Sequence, residues 1–215
     1  MYDVIVVGGG NAACAAAVSA RENGAKRVVL LEKAPPVQRG GNTHFSGAIF
    51  RFVFNKVEEL DRFLPGVEAE YPGFHAGVPI YPREAFREDL MRVTEGRSDP
   101  ELADLLIDAS YDTTCWMQDV GKHEFELARS AQKLDKPPYL CWAVTGGITF
   151  TFGGLKINKY AQVISSGWKP IEGLYCAGEM VGGLFHYNYP LGTGLMSGAV
   201  FGRIAGRSAA RVRTQ

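Results

Sequence analysis

The chain has 215 residues, with 23 basic and 23 acidic side chains and a formal net charge of zero. That balance offers a polyanion no general attraction, so nucleic acid is not an expected partner. No stretch reaches the roughly 20 apolar residues of a membrane-spanning helix, and the length suits one domain covering residues 1–215.

Met1 leads within two residues into the first predicted strand, which leaves no room there for a signal peptide. Cys14, Cys115, Cys141 and Cys176 are scattered and form no CxxC pair. Reduced thiols in a cytoplasmic protein are therefore expected, rather than a disulfide frame. His44, His75, His123 and His186 show no metal-ligand spacing, and no metal is expected.

Val4 to Val7 is a β-branched run that reads as a buried strand. Gly8-Gly9-Gly10 supplies a tight turn, Asn11 to Ala20 is small and helix-prone, and Val28 to Leu31 is a second buried run ending at Glu32. Strand, glycine turn, helix and strand make a βαβ unit carrying Gly8-x-Gly10-x-x-Ala13. Gly8 makes the turn and Gly10 lets backbone approach a pyrophosphate. Ala13 lets the helix lie close to the strand. The helix N-terminus, with Asn11 and Ala12, offers free N–H groups to the phosphates, and Glu32, followed by Lys33, is placed to accept from a ribose. The unit predicts a dinucleotide site. A mononucleotide or vestigial site with the same turn is the alternative. An acid at the ribose position argues against a 2′-phosphate.

Next comes "RGGNTHFSGAIF", Arg39 to Phe50. Starting at Arg39, seven residues after Glu32, it carries Gly40, Gly41, Asn42, Thr43, Ser46 and Gly47 in a polar, backbone-exposed loop. It is expected to line the far half of an extended cofactor, the alternative being an ordinary Gly-Asn turn. Residues 52–82 read as a loop with a short helix, and residues 83–121 as a helical insertion. In that insertion Asp99-Pro100-Glu101 starts a helix with a capping acid and a first-turn proline. Trp116 reads as core and Gly121 as the stop. "SAQKLDKPP", residues 130–138, has the composition of a linker, and "GGITFTFGGLKIN", Gly146 to Asn158, alternates as a β-hairpin would.

Near the end, Leu174 to Ala177 reads as a short buried strand ended by Gly178 and Glu179. Gly192-Thr193-Gly194-Leu195 then opens a helix whose Gly194, Gly198, Gly202 and Gly206 share one face. Glycine costs about 1 kcal/mol per helix position relative to alanine, so the repeat implies close backbone approach to a strand or a flat ligand. Arg203 and Arg207 exclude a membrane-dimer reading of that spacing.

Taken together, "DVIVVGGGNAACAAA", "LLEKAPPVQRGGNTHFSGA", "LMRVTEGRSDPELADLLIDAS", "GGITFTFGGLKIN" and "GLYCAGEMVGG…GLMSGAVFGRIAG" resemble the flavoprotein subunits of the fumarate reductase and succinate dehydrogenase superfamily. Within that group the chain is most similar to tricarballylate dehydrogenase. The resemblance implies FAD, with pyrophosphate at Gly8, Gly10 and Ala13 and ribose at Glu32. It places Gly41, Asn42 and Thr43 near the pyrophosphate and flavin, Glu179 on the ribityl chain, and Gly192–Leu195 at the flavin's pyrimidine edge. The expected fold is α/β: a Rossmann-like FAD-binding fold with a shortened parallel sheet, added helices and a hairpin. Its cofactor-binding parts are residues 1–50 and 143–215.

Relatives of this kind carry a mobile cap, which in fumarate reductases supplies the proton-delivering arginine. Here "WMQDVGKHEFELARS" is followed almost at once by "PYLCWAVTGGITF". The cap is therefore expected to be absent, leaving the flavin face open to water. The implied chemistry is hydride transfer between flavin N5 and a C–C bond of a small carboxylic acid. His186, Tyr189 and His44 are the candidate catalytic or substrate contacts. His186 sits in the loop where relatives place a substrate-binding histidine, one residue out of register. Two further readings stay open: a truncated, non-catalytic FAD-binding domain or dimerising partner, and an NAD-binding module. A second copy or a partner chain is expected to cover the open face.

Overall fold

The computed structural model describes residues 1–125 and 150–212. Two strands, β1 (Val4–Val7) and β2 (Val28–Leu31), pair in parallel with Val4 opposite Val28 and Val7 opposite Leu31. Helix α1 (Asn11–Glu22) crosses between them, as βαβ geometry requires. The predicted strand bounds hold, and the helix runs two residues past Ala20. The predicted burial does not hold. Val4 and Val6 face inward against Ala20 and Ala25, whereas Ile5 and Val7 are 58% and 82% exposed and Leu31 50%. The apolar runs predict cover on both faces of the sheet; among the described residues only one face has it.

Three single turns follow: a 3-10 turn at Val57–Leu60, then α2 (Val67–Glu70) and α3 (Phe74–Gly77). The one short helix expected in residues 52–82 is thus three separate turns, broken at Gly66 and Gly73. The longer helices α4 (Arg83–Val93) and α5 (Pro100–Asp119) lie as predicted. The Asp99 carboxylate accepts from the amides of Glu101 (3.0 Å) and Leu102 (3.2 Å), a cap that contributes about 1 kcal/mol. Between α4 and α5, Arg83 pairs with Asp108 (2.6 Å) and Asp104 (2.9 Å) at the surface. Beneath them Phe86, Leu90, Leu102, Leu106 and Ile107 are buried in the main core. Each such side chain contributes about 1.5–3 kcal/mol on burial. Trp116 is core as expected, 7% exposed, and its indole N–H donates to Glu22 at 2.6 Å.

The predicted hairpin over 146–158 begins outside the described residues, as do the linker 130–138 and Cys141. Within 150–158 only single bridges form, Leu155 with Val181 and Ile157 with Val163. The antiparallel pair lies later, β3 (Gln162–Ile164) against β4 (Pro170–Tyr175). Leu174 is 45% exposed, which corrects the reading of 174–177 as a buried strand; only Cys176 is buried. The strand lies across the surface and enters the core at its last residues. Burial pushes the Cys176 thiol up to about 11, so it stays protonated at neutral pH.

Helix α6 (Thr193–Arg211) closes the fold, with Met196, Val200, Phe201 and Ala205 in the main core. Its glycine face divides: Gly202 and Gly206 meet α1, Gly198 meets α1 and the cleft, and Gly194 faces the cleft beside Phe150. A Cβ on Gly202 would stand 2.4 Å from the Ala12 carbonyl oxygen, and one on Gly206 2.1 Å from that of Ala16. The two helices touch backbone to backbone. Ser19, 1% exposed, donates to the Arg203 carbonyl at 2.7 Å and locks the register.

Candidate cofactor site

The α1–α6 contact brings the first and last glycine segments together. At the top of α1, Gly8 turns with φ +113° and Gly10 caps the helix in extended backbone. The amide of Asn11 donates to Thr43 Oγ1 (3.0 Å), and the Asn11 side-chain amide donates to the Leu195 carbonyl (2.7 Å). One residue thus joins the start of α1, the loop after β2 and the first turn of α6. That loop, Gly41–Phe45, is a 3-10 turn entered through Gly40 at φ +108°.

Opposite it lies Glu179, in a 3-10 turn Gly178–Met180 just after β4. Its carboxylate accepts from the Asn42 side-chain amide on one side. On the other it accepts from the Thr151 amide (2.8 Å) and hydroxyl (3.1 Å). Gly178 is held close: a Cβ there would sit 2.9 Å from the Ala12 Cβ.

Between these segments runs a cleft of about 500 Å³. Of the predicted residues, Gly8, Gly10, Asn11, Ala12, Ala13, Gly40–Thr43, Ser46, Gly47, Gly178, Glu179, Tyr189, Gly192, Gly194 and Leu195 line it. Glu32 stands just behind: its carboxylate occupies the space that a Cβ on Gly9 would need, and it accepts from the Ala34 amide at 2.9 Å. The Ala34 amide first, then those of Gly40, Lys33 and Gly9, hold this carboxyl below the usual glutamate range against the opposing effect of burial. An ionised acceptor beside the α1 N-terminus is what a ribose diol needs.

Lys33 and His44 are exposed, His44 with its ring edge on Phe45, and neither is among the lining residues. Thr193 is fully buried and its hydroxyl donates to the Pro190 carbonyl, so its side chain turns away from the cleft and ties α6 to the preceding loop. His186 lies in a neighbouring groove with Arg97, Asp99, Lys156 and Tyr187. The loop turns at Tyr187, φ +61°, which separates His186 from Tyr189.

Phe150 was legible only as one member of an alternating run, yet it lines the cleft, stacked on Tyr189 with centroids 4.8 Å apart. Phe45, Ile49, Met180 and Leu191 also line it and gave no sequence signal beyond being apolar.

The bare backbone at Gly8, Gly10 and Gly178, the helix N-terminus and the ionised Glu32 suit a long dinucleotide. The comparison with known families agrees. The model of the FAD binding domain family matches residues 3–66 and 122–195. The chain belongs to the FAD binding domain family. FAD is accordingly the cofactor, and the α/β fold is that of the fumarate reductase and succinate dehydrogenase flavoproteins. Among relatives of this FAD-binding chain is the probable fumarate reductase Ifc3 of Shewanella frigidimarina, 44% identical over 87 residues, 40% of this chain and 15% of that protein. The NADH:acrylate oxidoreductase of Vibrio harveyi is 38% identical over 86 residues, 40% of this chain and 9% of that one. The matched stretches are thus a small part of either relative. The open conformation of a flavocytochrome c3 fumarate reductase superposes with a TM-score of 0.71 at 15% identity, covering 98% of this chain and 78% of that one. The narrower likeness to tricarballylate dehydrogenase goes beyond these matches. No helix among the described residues is long and apolar enough to cross a membrane.

Removing the charge at Glu32 tests its part in the site. Glu32→Gln is expected to weaken FAD binding about tenfold, the size of one lost charge-assisted hydrogen bond, read by flavin fluorescence titration. Because the folded carboxyl is held low, wild-type affinity from this contact persists as pH falls through the ordinary glutamate range. It fades only as pH falls through the lowered value, whereas the glutamine variant shows no such acid limb.

Proposed function

We propose that the protein is an FAD-dependent oxidoreductase acting on a C–C bond of a small unsaturated acid. The observation that carries this is the convergence of the glycine segments from both ends of the chain on one elongated cleft. When bound, FAD supplies hydride transfer at flavin N5. The amides at the α1 N-terminus would hold the pyrophosphate, Glu32 the adenosine ribose and Glu179 the ribityl chain, with Gly41, Asn42 and Thr43 near the pyrophosphate and flavin. Gly192–Leu195 turn the positive end of α6 toward the flavin's pyrimidine edge, where negative charge on the reduced ring is favoured. Phe150 and Tyr189 form a flat apolar wall that excludes water on one side. Tyr189, His186 and His44 remain candidate substrate contacts, His186 from its separate groove. The relatives whose names state fumarate, acrylate and urocanate reduction support an unsaturated acid as the class of substrate.

A second reading is a non-catalytic FAD-binding domain that needs a second copy or a partner chain over its open side. Exposure of the lining residues Phe45 (71%), Leu191 (60%) and Met180 (63%) favours it. One experiment separates the two. Protein loaded with FAD is reduced anaerobically with dithionite, then offered fumarate, acrylate, urocanate and a tricarboxylate. Reoxidation by any of them supports the oxidoreductase. Reoxidation by oxygen alone supports the binding domain. A preparation that takes up no FAD overturns both.

A further inference from the structure

The first turn of α6 is braced from outside the cleft. Arg51, beyond the glycine loop, donates from Nε to the Leu191 carbonyl (2.7 Å), and its own amide donates to the Gly192 carbonyl (3.3 Å). Its Nη1 donates to the Tyr81 hydroxyl (2.6 Å) and pairs with Asp89 (3.0 Å) on α4. Tyr81 donates to the same Asp89 oxygen at 2.7 Å, and Arg92 holds the other oxygen at 2.9 Å. The fit is tight, since a Cβ on Gly192 would stand 2.9 Å from the Arg51 amide nitrogen. Burial pushes the Tyr81 hydroxyl up to about 12, with the Asp89 bond adding to it, so it remains a donor. Burial raises Asp89 as well, but Arg92, Tyr81 and Arg51 outweigh it and keep the carboxylate ionised.

Leu191 and Gly192 line the cleft; Arg51, Tyr81 and Asp89 do not. We propose that Arg51, clamped by Tyr81 and Asp89, is a positioning residue that fixes the α6 N-terminus against the flavin, linking the helical insertion to the redox end of the cofactor. This rests on the reading of Gly192–Leu195 as the flavin contact. Arginine suits the task because its planar fork spreads donors over Nε and Nη1 in a fixed geometry, whereas lysine's three donors share one nitrogen.

The test compares Arg51→Gln, Arg51→Lys, Tyr81→Phe and Asp89→Asn with wild type. The readouts are the FAD dissociation constant, the flavin midpoint potential and the visible circular dichroism of the bound flavin. Arg51→Gln is expected to bind FAD about tenfold more weakly, with a more negative midpoint potential and an altered flavin spectrum. Arg51→Lys recovers part of the loss, and Tyr81→Phe and Asp89→Asn move all three readouts the same way by less. Arg83→Gln, which breaks the α4–α5 surface pair instead, leaves all three unchanged. If Arg51→Gln lowers only the melting temperature and leaves potential and spectrum as in wild type, the proposal is overturned. Should Arg51→Gln fail to fold, unchanged potentials in both Tyr81→Phe and Asp89→Asn overturn it equally. Wild-type protein that takes up no flavin sinks the cofactor placement itself, a different failure from that of the brace.

Discussion

Gly206→Ala is expected to destabilise the protein by about 3 kcal/mol, although alanine is the better helix former. Two opposing effects decide the sign. Filling a helical glycine gains about 1 kcal/mol of intrinsic propensity. Against that, the new methyl would stand 2.1 Å from the Ala16 carbonyl oxygen and 2.9 Å from the Ala20 amide nitrogen. Both are backbone atoms of α1, so no side chain can swing away and the helices must part. Their separation also breaks the Ser19–Arg203 and Asn11–Leu195 bonds. The cost is graded along the interface. Gly202→Ala meets the Ala12 carbonyl oxygen at 2.4 Å, while Gly198→Ala meets the Asn11 side-chain amide at 3.0 Å, a group that can shift. Urea unfolding should rank the variants with Gly198→Ala mildest and Gly202→Ala and Gly206→Ala severe. An unchanged midpoint for Gly206→Ala would remove the backbone-to-backbone contact as an explanation of the fold.

Gly10→Val is the substitution expected to abolish cofactor binding while sparing the fold. Gly10 has φ −79° and ψ −178°, a conformation any residue adopts, so the backbone itself resists nothing. The difficulty is space. A Cβ there lies 3.1 Å from the Gly40 carbonyl oxygen and 3.2 Å from Thr43 Oγ1, and valine adds two methyls beyond it. The loop after β2 must move off the α1 N-terminus, and the methyls occupy the cleft volume proposed above for the pyrophosphate. FAD affinity should fall at least about 100-fold, near 2.7 kcal/mol, by equilibrium dialysis. Stability of the flavin-free protein should change by under about 1 kcal/mol, since no core residue is touched. Retention of full affinity would show that the pyrophosphate lies elsewhere.

What was legible in the chain follows the range of the interactions involved. The βαβ unit reads out with its strand bounds intact and its helix two residues short because the Gly8 turn, the alanine-rich helix and the valine runs are local signals. Asp99-Pro100 marks the start of α5 for the same reason: cap and first-turn proline are neighbours. The glycine repeat in α6 announced a close approach, but not its partner, because nothing at Gly202 or Gly206 distinguishes a helix from a strand or a flat ring. Alternation in Gly146–Asn158 read as a hairpin, but Leu155 and Ile157 find their bridges in Val181 and Val163, segments that tertiary packing brings in. At the site, Gly8, Asn42, Glu179 and Gly192 were visible through backbone chemistry. His186 and Tyr189, three residues apart, were indistinguishable until the positive φ at Tyr187 sent them into different grooves. The Arg51–Tyr81–Asp89 brace spans three segments and leaves no pattern at all.

The glycine seam between α1 and α6 also bears on how the coenzyme gets in. Helices separated by side chains can slide as rotamers readjust, but at Gly202 and Gly206 these two meet through the Ala12 and Ala16 carbonyl oxygens, which cannot swing aside. They behave as a single rigid post. The more adaptable wall is the opposite one, where side-chain hydrogen bonds from Asn42 and Thr151 to the Glu179 carboxylate hold the segments together. The cleft thus has one wall of packed helix backbone and one wall of side-chain hydrogen bonds.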